Sequence, residues 1–151
     1  MVAIRPLQHE DIDRVVQIDV QTDAFPWREK NYIEGMDAGY SCWVIDDSRQ
    51  DAAPVQGFAV MMVVLDEAHL LKISVATDCQ RRGLGTALLQ HLYARAKLAG
   101  ATQMFLEVRR SNVLARPLYE RQAFVEIGQR KAYYPTEDGR EDAIVMRREL
   151  V

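Results

Sequence analysis

The residues most suggestive of chemistry form a seven-residue loop between an apolar segment and a helix-like segment. The loop reads Gln80-Arg81-Arg82-Gly83-Leu84-Gly85-Thr86. Glycines let backbone N–H groups approach a ligand closely, and the first turn of a helix has unpaired N–H groups at the positive end of its dipole. Because two arginines add formal charge, the loop predicts a site for an anion such as pyrophosphate. A simple turn before a helix is the structural alternative.

Two familiar phosphate-binding loops do not fit this pattern. A Walker loop has a lysine followed by serine or threonine after its last glycine, whereas Thr86 and Ala87 follow Gly85 here. A dinucleotide-binding loop counted from Gly83 would need a small third residue, but that position is Leu88. The loop therefore belongs to neither class.

Two further residues could transfer protons. Glu107 is an acid in the middle of an apolar strand-like segment, where an unpaired carboxylate costs on the order of a few kcal/mol. It either forms an ion pair with Arg109 on the same strand face or acts as a general base in a cleft beside the loop. Tyr119 either packs on its helix or acts as a general acid, since a phenol with a reference pKa of ~10 can protonate a departing thiolate.

Composition excludes several classes of protein. The chain has 151 residues, of which 48% are hydrophobic and 27% charged, and its net charge is -3. This balance is typical of a soluble globular protein and provides no electrostatic attraction to nucleic acid or to an anionic membrane. The sequence contains no run of ~18 apolar residues, so no membrane span is expected. The N-terminus lacks a signal-peptide pattern, so a cytoplasmic protein is expected.

The cysteines and histidines predict neither a disulfide nor a metal site. Cys42 and Cys79 are expected to be free thiols in a reducing compartment. His9, His69 and His91 are scattered along the chain and form no cluster with metal-ligand spacing.

Hydrophobic periodicity predicts one α/β domain over residues 1–151, with a sheet of mixed direction and helices packed on it. The apolar segments that flank Asp66-Glu67 should form an antiparallel hairpin, and a loop is expected from Asp47 to Pro54. Pro26 suits the first turn of a helix. The predicted elements are a strand at 2–7, helices at 10–21 and from Pro26 to about 34, strands at 41–46, 55–65 and 68–75, a helix at 87–96, a strand at 102–108, a helix at 113–122, and strands at 124–133 and 143–150.

Several of these features form a recognisable combination. They are Gln80-x-x-Gly83-x-Gly85, a strand that ends at Val75, Asn112, Leu118-Tyr119-Glu120 and Phe124. Together with the order of elements, they resemble the GNAT superfamily of acetyl-CoA-dependent N-acetyltransferases. The resemblance covers nearly the entire chain.

Four further blocks make the resemblance narrower. They are Ala24-Phe25-Pro26-Trp27, Leu65-Asp66-Glu67-Ala68, Leu106-Glu107-Val108-Arg109-x-Ser111-Asn112 and Tyr133-Tyr134-Pro135-Thr136-x-Asp138-Gly139-Arg140-Glu141-Asp142-Ala143. These blocks are similar to the bacterial RimI family, which acetylates the N-terminal alanine of a small-subunit ribosomal protein. The implied fold is a mixed, mostly antiparallel sheet of six to seven strands with about four helices. The implied partners are acetyl-CoA and a ribosomal-protein N-terminus, without metal, nucleic acid or membrane.

The resemblance implies where acetyl-CoA would bind. Its pyrophosphate would lie on the backbone N–H groups from Arg81 to Thr86. Asn112 would contact the pantetheine arm. That arm would pair with a strand edge, as an added strand does, at Ile73, Ser74 and Val75.

The resemblance also assigns the two proton-transfer groups. Glu107 would take a proton from the substrate α-ammonium, directly or through water, so that the free amine can attack the thioester carbonyl. Tyr119 would lie against the cofactor and protonate the departing sulfur. An α-amine has a reference pKa of ~7.7–8.0, so a base of modest strength suffices near neutral pH.

A substrate groove is expected around Trp27 and Tyr134. Phe25 and Trp27, which flank Pro26, either pack into the core or form a wall of this groove. A peptide substrate needs an open-ended groove, whereas an enzyme for a small-molecule amine can close it. The alternative functions are acetylation of a lysine side chain or a small amine, and an acetyl-CoA-binding module without catalysis.

Two residues depart from the family's pattern. The family often has glycine at the position of Ala123, and alanine would cost ~1 kcal/mol there if the position needs a positive φ. Pro117 is expected one turn inside its helix, where it would remove a backbone donor. Either residue could shift Tyr119.

Overall fold

A computed structural model describes residues 2–47 and 55–151. In this part of the chain, seven strands and four α-helices follow the predicted order, which confirms the expected mixed α/β architecture. The predicted loop at 47–54 lies outside the described residues except for Asp47, which ends a strand. The elements are β1 (Val2–Pro6), α1 (Ile12–Thr22), α2 (Glu29–Asp37), β2 (Ser41–Asp47), β3 (Val55–Val64), β4 (Glu67–Val75), α3 (Leu84–Leu98), β5 (Gln103–Arg109), α4 (Ala115–Arg121), β6 (Val125–Pro135) and β7 (Arg140–Glu149).

All seven strands form one sheet in the order β1-β2-β3-β4-β5-β7-β6. Every neighbouring pair is antiparallel except β4 and β5, which run parallel. The predicted hairpin of β3 and β4 is confirmed, but its turn is formed by Leu65 and Asp66 instead of Asp66-Glu67. Leu65 takes a left-handed conformation, with φ of 55°, and Glu67 is already paired in β4.

Helices cover both faces of the central strands. The Phe58 ring of β3 lies 5.7 Å from the Tyr32 ring of α2. Trp43 pairs with the residue after Phe58, so it points to the opposite face, where its ring lies 4.3 Å from His91 of α3. Consistent with this arrangement, residues 55–61 are all buried.

The sheet opens between β4 and β5. Their parallel pairing ends at Leu70 and Leu106, although both strands continue beyond these residues. At the same point the register between β3 and β4 shifts between Val60 and Met61, which leaves Leu71 as an extra residue in β4. Such a β-bulge bends and twists its strand. The bulge therefore turns β4 away from β5 and creates a gap between them.

The start of α2 differs from the prediction. The helix begins at Glu29, so Pro26 lies before it and not in its first turn. Arg28 is extended, with φ of -92° and ψ of 163°, and its N–H donates to Oδ1 of Asn31 at 2.9 Å. Oδ1 of Asn31 thus satisfies the backbone N–H of Arg28, and this places the start of the helix three residues after Pro26.

The start of α4 also differs from the prediction. Oδ1 of Asn112 accepts the N–H of Ala115 at 3.1 Å, and regular helix begins at Ala115, two residues later than predicted. Pro117 is consequently the third helical residue and not one turn inside. The N–H groups of the first turn have no intrahelical acceptor, so the proline removes no helical hydrogen bond.

Three helices end with the same backbone motif. A residue with positive φ follows each helix: Gly39 at 85°, Gly100 at 94° and Ala123 at 67°. After α4, the N–H of Phe124 donates to the C=O of Tyr119 at 3.0 Å. This is the hydrogen bond of a Schellman motif that joins residues five positions apart in the sequence. Ala123 therefore meets the condition under which alanine costs free energy at this position, because it occupies a conformation that favours glycine.

The substitution Ala123→Gly should raise the free energy of unfolding by ~1 kcal/mol, because it removes the left-handed strain of an L-residue. Urea denaturation of both proteins measures the difference.

The matched control is Ala99→Gly at the end of α3, where φ is -84°. That change should lower the free energy of unfolding by roughly 0.5–1 kcal/mol, since glycine there only adds freedom to the unfolded chain. Equal losses of stability at both positions would contradict the strain at Ala123.

Candidate active site

The gap between β4 and β5 forms a groove of about 610 Å³. One side is formed by residues 71–74 of β4 and the other by residues 106–109 of β5. Phe25 lies on the groove wall with 41% of its surface exposed, whereas Trp27 both lines the groove and packs against the core. The groove brings together seven of the predicted site residues: Trp27, Ile73, Ser74, Glu107, Asn112, Tyr119 and Tyr134.

A second groove of about 390 Å³ adjoins the first. Both grooves are lined by Trp27, Glu107 and Tyr134, so the carboxylate lies where they meet. The second groove is also lined by His69 and Phe105, whose rings stack at 5.4 Å with planes 20° apart. A bound chain therefore has room on both sides of Glu107.

The carboxylate of Glu107 forms an ion pair, but with a different arginine from the one expected. Its Oε1 accepts a hydrogen bond from Nε of Arg130 at 2.5 Å, and its side chain is 26% exposed. The predicted alternative, an ion pair with Arg109, was wrong, because Arg109 pairs with Glu141 at 3.2 Å. Arg130 reaches Glu107 from β6 across the intervening strand β7, a contact that neighbouring positions in the sequence do not reveal.

Tyr119 is buried in the C-terminal half of α4. Only 8% of its surface is exposed, and its ring meets Phe124 edge-on at 5.8 Å. Burial, with a smaller contribution from Tyr93, raises the pKa of Tyr119 to about 12. The phenol is therefore protonated at neutral pH and can act as a proton donor.

The glycine-containing loop lies beyond the far end of β4. Nε2 of Gln80 donates to the C=O of Val75 at 3.1 Å, which ties the loop to the strand end. Arg81 and Gly83 have φ of 67° and 78°, and α3 begins directly afterwards at Leu84, three residues earlier than predicted. The first N–H groups of α3 consequently have no intrahelical acceptor. Neither Val75 nor the loop lines the groove, which extends along β4 as far as Ser74.

The two glycines of the loop leave open space. A Cβ added at Gly83 would meet no atom within 4 Å, and one at Gly85 would meet only Cγ2 of Val75, at 4.0 Å. Packing within the protein therefore does not require glycine at Gly85. The small residues leave the N–H groups at the start of α3 open to a ligand.

A buried ion network on the groove wall was not predicted. Oδ1 of Asp19 accepts a hydrogen bond from Nζ of Lys72 at 2.9 Å, and the same ammonium contacts Oδ2 of Asp23 at 3.0 Å. Oδ2 of Asp19 accepts the hydroxyl of Tyr32 at 2.5 Å and the N–H of Trp27 at 3.0 Å. The network thus fixes the backbone of the α1–α2 connection against β4.

Sequence signals for this network were present. Asp19 follows Val15 by four residues, so it lies on the buried stripe of α1 beside Ile18. Lys72 interrupts an apolar segment of β4 as Glu107 interrupts β5. Because Asp19 and Lys72 carry opposite charges and both lie within predicted core elements, an ion pair between them could have been predicted from the sequence.

The described part of the chain shows other features relevant to function. Within residues 2–47 and 55–151, no helix is long and apolar enough to cross a membrane. In the same residues, no group of three or more histidine, cysteine, aspartate or glutamate side chains could hold a metal ion. Cys42 and Cys79 are free thiols, as expected.

Comparisons with known proteins agree with this architecture. Residues 7–124 match the model of the acetyltransferase (GNAT) family. The chain is 42% identical over 146 residues to the Escherichia coli ribosomal protein bS18-alanine N-acetyltransferase, with 97% of this chain and 96% of that protein covered. The crystal structure of the Escherichia coli enzyme superposes with a TM-score of 0.87 at 41% identity, covering 99% of this chain and 94% of that one. Arabidopsis thaliana NAA60 in complex with acetyl-CoA shares the fold, with a TM-score of 0.88, 18% identity and 99% coverage of both chains.

The substitution Lys72→Met should lower the free energy of unfolding by ~3 kcal/mol, because it leaves the Asp19 carboxylate buried without its counter-ion. Chemical denaturation measures this loss. In the double variant Lys72→Met/Asp19→Asn, the loss should be smaller than the sum of the two single losses. Strict additivity would contradict a direct interaction between the two charges.

Proposed function

Because the chain belongs to the GNAT family of acetyltransferases, we propose that it transfers an acetyl group from acetyl-CoA to the N-terminal alanine of ribosomal protein bS18. The observation that carries this proposal is the 42% identity, over 97% of the chain, to the Escherichia coli enzyme named for this reaction. We place the reaction in the cytoplasm, where the ribosomal protein is available.

In this proposal the loop before α3 holds the pyrophosphate of acetyl-CoA. The N–H groups of Leu84, Gly85 and Thr86 lie at the positive end of the dipole of a fifteen-residue helix. Arg81 and Arg82 are exposed beside them and add positive charge. Open space at the glycines supports close approach of an anion to the backbone.

The pantetheine arm binds along β4 in the same proposal. Residues Ile73, Ser74 and Val75 lie beyond the end of the β4–β5 pairing, so their backbone edge can pair with an extended ligand as it would with an added strand. Asn112 faces the same groove. Its Oδ1 accepts the Ala115 N–H, so its side-chain NH2 group is the part that serves the cofactor arm.

Glu107 acts as the general base. Acetyl-CoA supplies the acetyl group as an activated thioester. Glu107 accepts a proton from the substrate α-ammonium, and the lone pair of the free amine forms the new N–C bond. The ammonium takes the position beside the carboxylate that Arg130 occupies now. Arg130 can move aside because its side chain is 58% exposed and exposed ion pairs contribute little stability.

Tyr119 acts as the general acid. It donates its phenolic proton to the sulfur as the C–S bond breaks, so CoA leaves as a thiol. The resulting phenolate takes up the second proton that the nitrogen loses as the amide forms. The buried position of Tyr119 on the groove wall supports the role of acid, because a proton donor must retain its proton until the sulfur departs.

A protein N-terminus fits the site better than a small amine. The two adjoining grooves meet at Glu107 and leave room for a chain that continues past the reacting amine. A small-molecule enzyme would need only one closed pocket. The proposal therefore assigns the groove around Trp27 and Tyr134 to the first residues of the substrate.

Incubation with acetyl-CoA and an alanine-initiated peptide from the N-terminus of bS18 should give a single acetyl group on the α-amine. Fragment mass spectrometry locates the group. The control peptide has the same sequence with a blocked N-terminus, and its mass should not change. Acetylation confined to lysine would reject the α-amine as the substrate.

The substitutions Glu107→Gln and Tyr119→Phe should each lower kcat by ~10²–10⁴-fold while the Kd for acetyl-CoA changes little, since each removes one proton transfer. Single-turnover rates and calorimetric titration separate the two effects.

Because the pKa of Tyr119 is raised to about 12, its acid form persists above neutral pH. Loss of this proton should therefore not lower the kcat of the wild-type enzyme at any pH up to about 10.

Glu149→Gln is the matched control for the base. Glu149 ends β7, its side chain is 71% exposed, and it lines neither groove. This variant should keep the wild-type rate. A wild-type single-turnover rate in Glu107→Gln or in Tyr119→Phe would refute the role assigned to that residue.

A further inference from the structure

Arg109 joins three separate segments of chain across the larger groove. Its guanidinium carbon lies 4.6 Å from the centre of the Phe25 ring and 4.5 Å from that of Tyr134. Its Nη1 donates to the C=O of Pro135 at 2.8 Å and to Oε1 of Glu141 at 3.2 Å. One side chain of β5 therefore contacts the α1–α2 connection, the end of β6 and the start of β7.

The contacts continue to the turn that carries Asn112. Oε1 of Glu141 accepts the hydroxyl of Ser111 at 3.0 Å, and Oε2 accepts the Ser111 N–H at 3.1 Å. Desolvation of Glu141 opposes ionisation, but the hydrogen bonds from Ser111 and Arg109 outweigh it and lower the pKa of this carboxyl. An ionised Glu141 therefore anchors both the guanidinium and the turn.

This combination of ring contacts and hydrogen bonds around Arg109 requires a guanidinium. A planar guanidinium can stack on aromatic faces while its edge donates hydrogen bonds to a carbonyl and a carboxylate. Lysine could keep the charge near Glu141 but could not stack against Phe25 and Tyr134 together. Because Phe25 is 41% exposed, its ring is not held by the core and depends on such a contact.

We propose that Arg109 is a positioning residue that holds Phe25 and Tyr134 as the two walls of the substrate groove, and so governs binding of the amine substrate. The inference rests on the proposed function, because it assigns this groove to the acceptor. Arg109 lies two residues from Glu107 in the same strand, so the walls it orders flank the carboxylate that would receive the substrate ammonium.

The test is a comparison of Arg109→Lys with wild type. The KM for the alanine-initiated peptide should rise roughly tenfold, because the stacking contacts are lost while the positive charge remains. The KM for acetyl-CoA and the melting temperature should change little. Arg110→Lys is the matched control, since Arg110 lies outside both grooves, and all of its constants should stay at wild-type values.

A double-mutant cycle distinguishes positioning from a purely structural ion pair. Phe25→Ala should also raise the KM for the peptide, and adding Arg109→Lys to it should raise that KM by much less than in the wild-type background. Independent effects of the two substitutions would overturn the inference. So would an unchanged peptide KM in Arg109→Lys.

Failure of the proposed function would be seen in the wild-type enzyme, as an absence of α-amine acetylation. In that case the same variants are compared on a lysine-containing peptide with a blocked N-terminus. A KM for that amine that does not respond to Arg109→Lys would overturn the inference on its own terms.

Discussion

The β-bulge at Leu71 is the constraint on which the site depends. Without an extra residue, Leu70 and Lys72 would lie two apart on the same face of β4. Because Leu70 pairs with Met61 and Lys72 with Val60, the bulge places them on opposite faces. The same distortion ends the pairing with β5, so one irregularity both opens the groove and directs Lys72 toward α1.

Lys72 then links the opened strand to the segment that forms one groove wall. Its ammonium pairs with Asp19, which also accepts the N–H of Trp27 and the hydroxyl of Tyr32. A buried ion pair contributes little net stability unless its remaining hydrogen-bonding capacity is used. In this network the carboxylate makes three hydrogen bonds, so desolvation is offset while the position of Trp27 is fixed.

Local patterns explain what could be predicted from the sequence. The order of elements follows from hydrophobic periodicity, whereas the interest in Ala123 and the role given to Tyr119 rest on short motifs that resemble the GNAT superfamily. The bulge at Leu71 and the contact of Arg130 with Glu107 depend on pairing between strands distant in sequence. No local pattern specifies such pairing, which is why the structure alone revealed how the groove opens and which arginine meets Glu107.

The placement of Tyr119 shows how a short element can hold a residue firmly. A seven-residue helix is too short to be stable by propensity alone, so α4 depends on its ends. Asn112 caps the first turn, and Pro117 fixes a backbone angle within it. At the other end, the carbonyl of Tyr119 accepts the Phe124 N–H while their rings meet edge-on. Because the C-terminal motif requires a positive φ at Ala123, the backbone strain lies in the turn that orients the proposed acid.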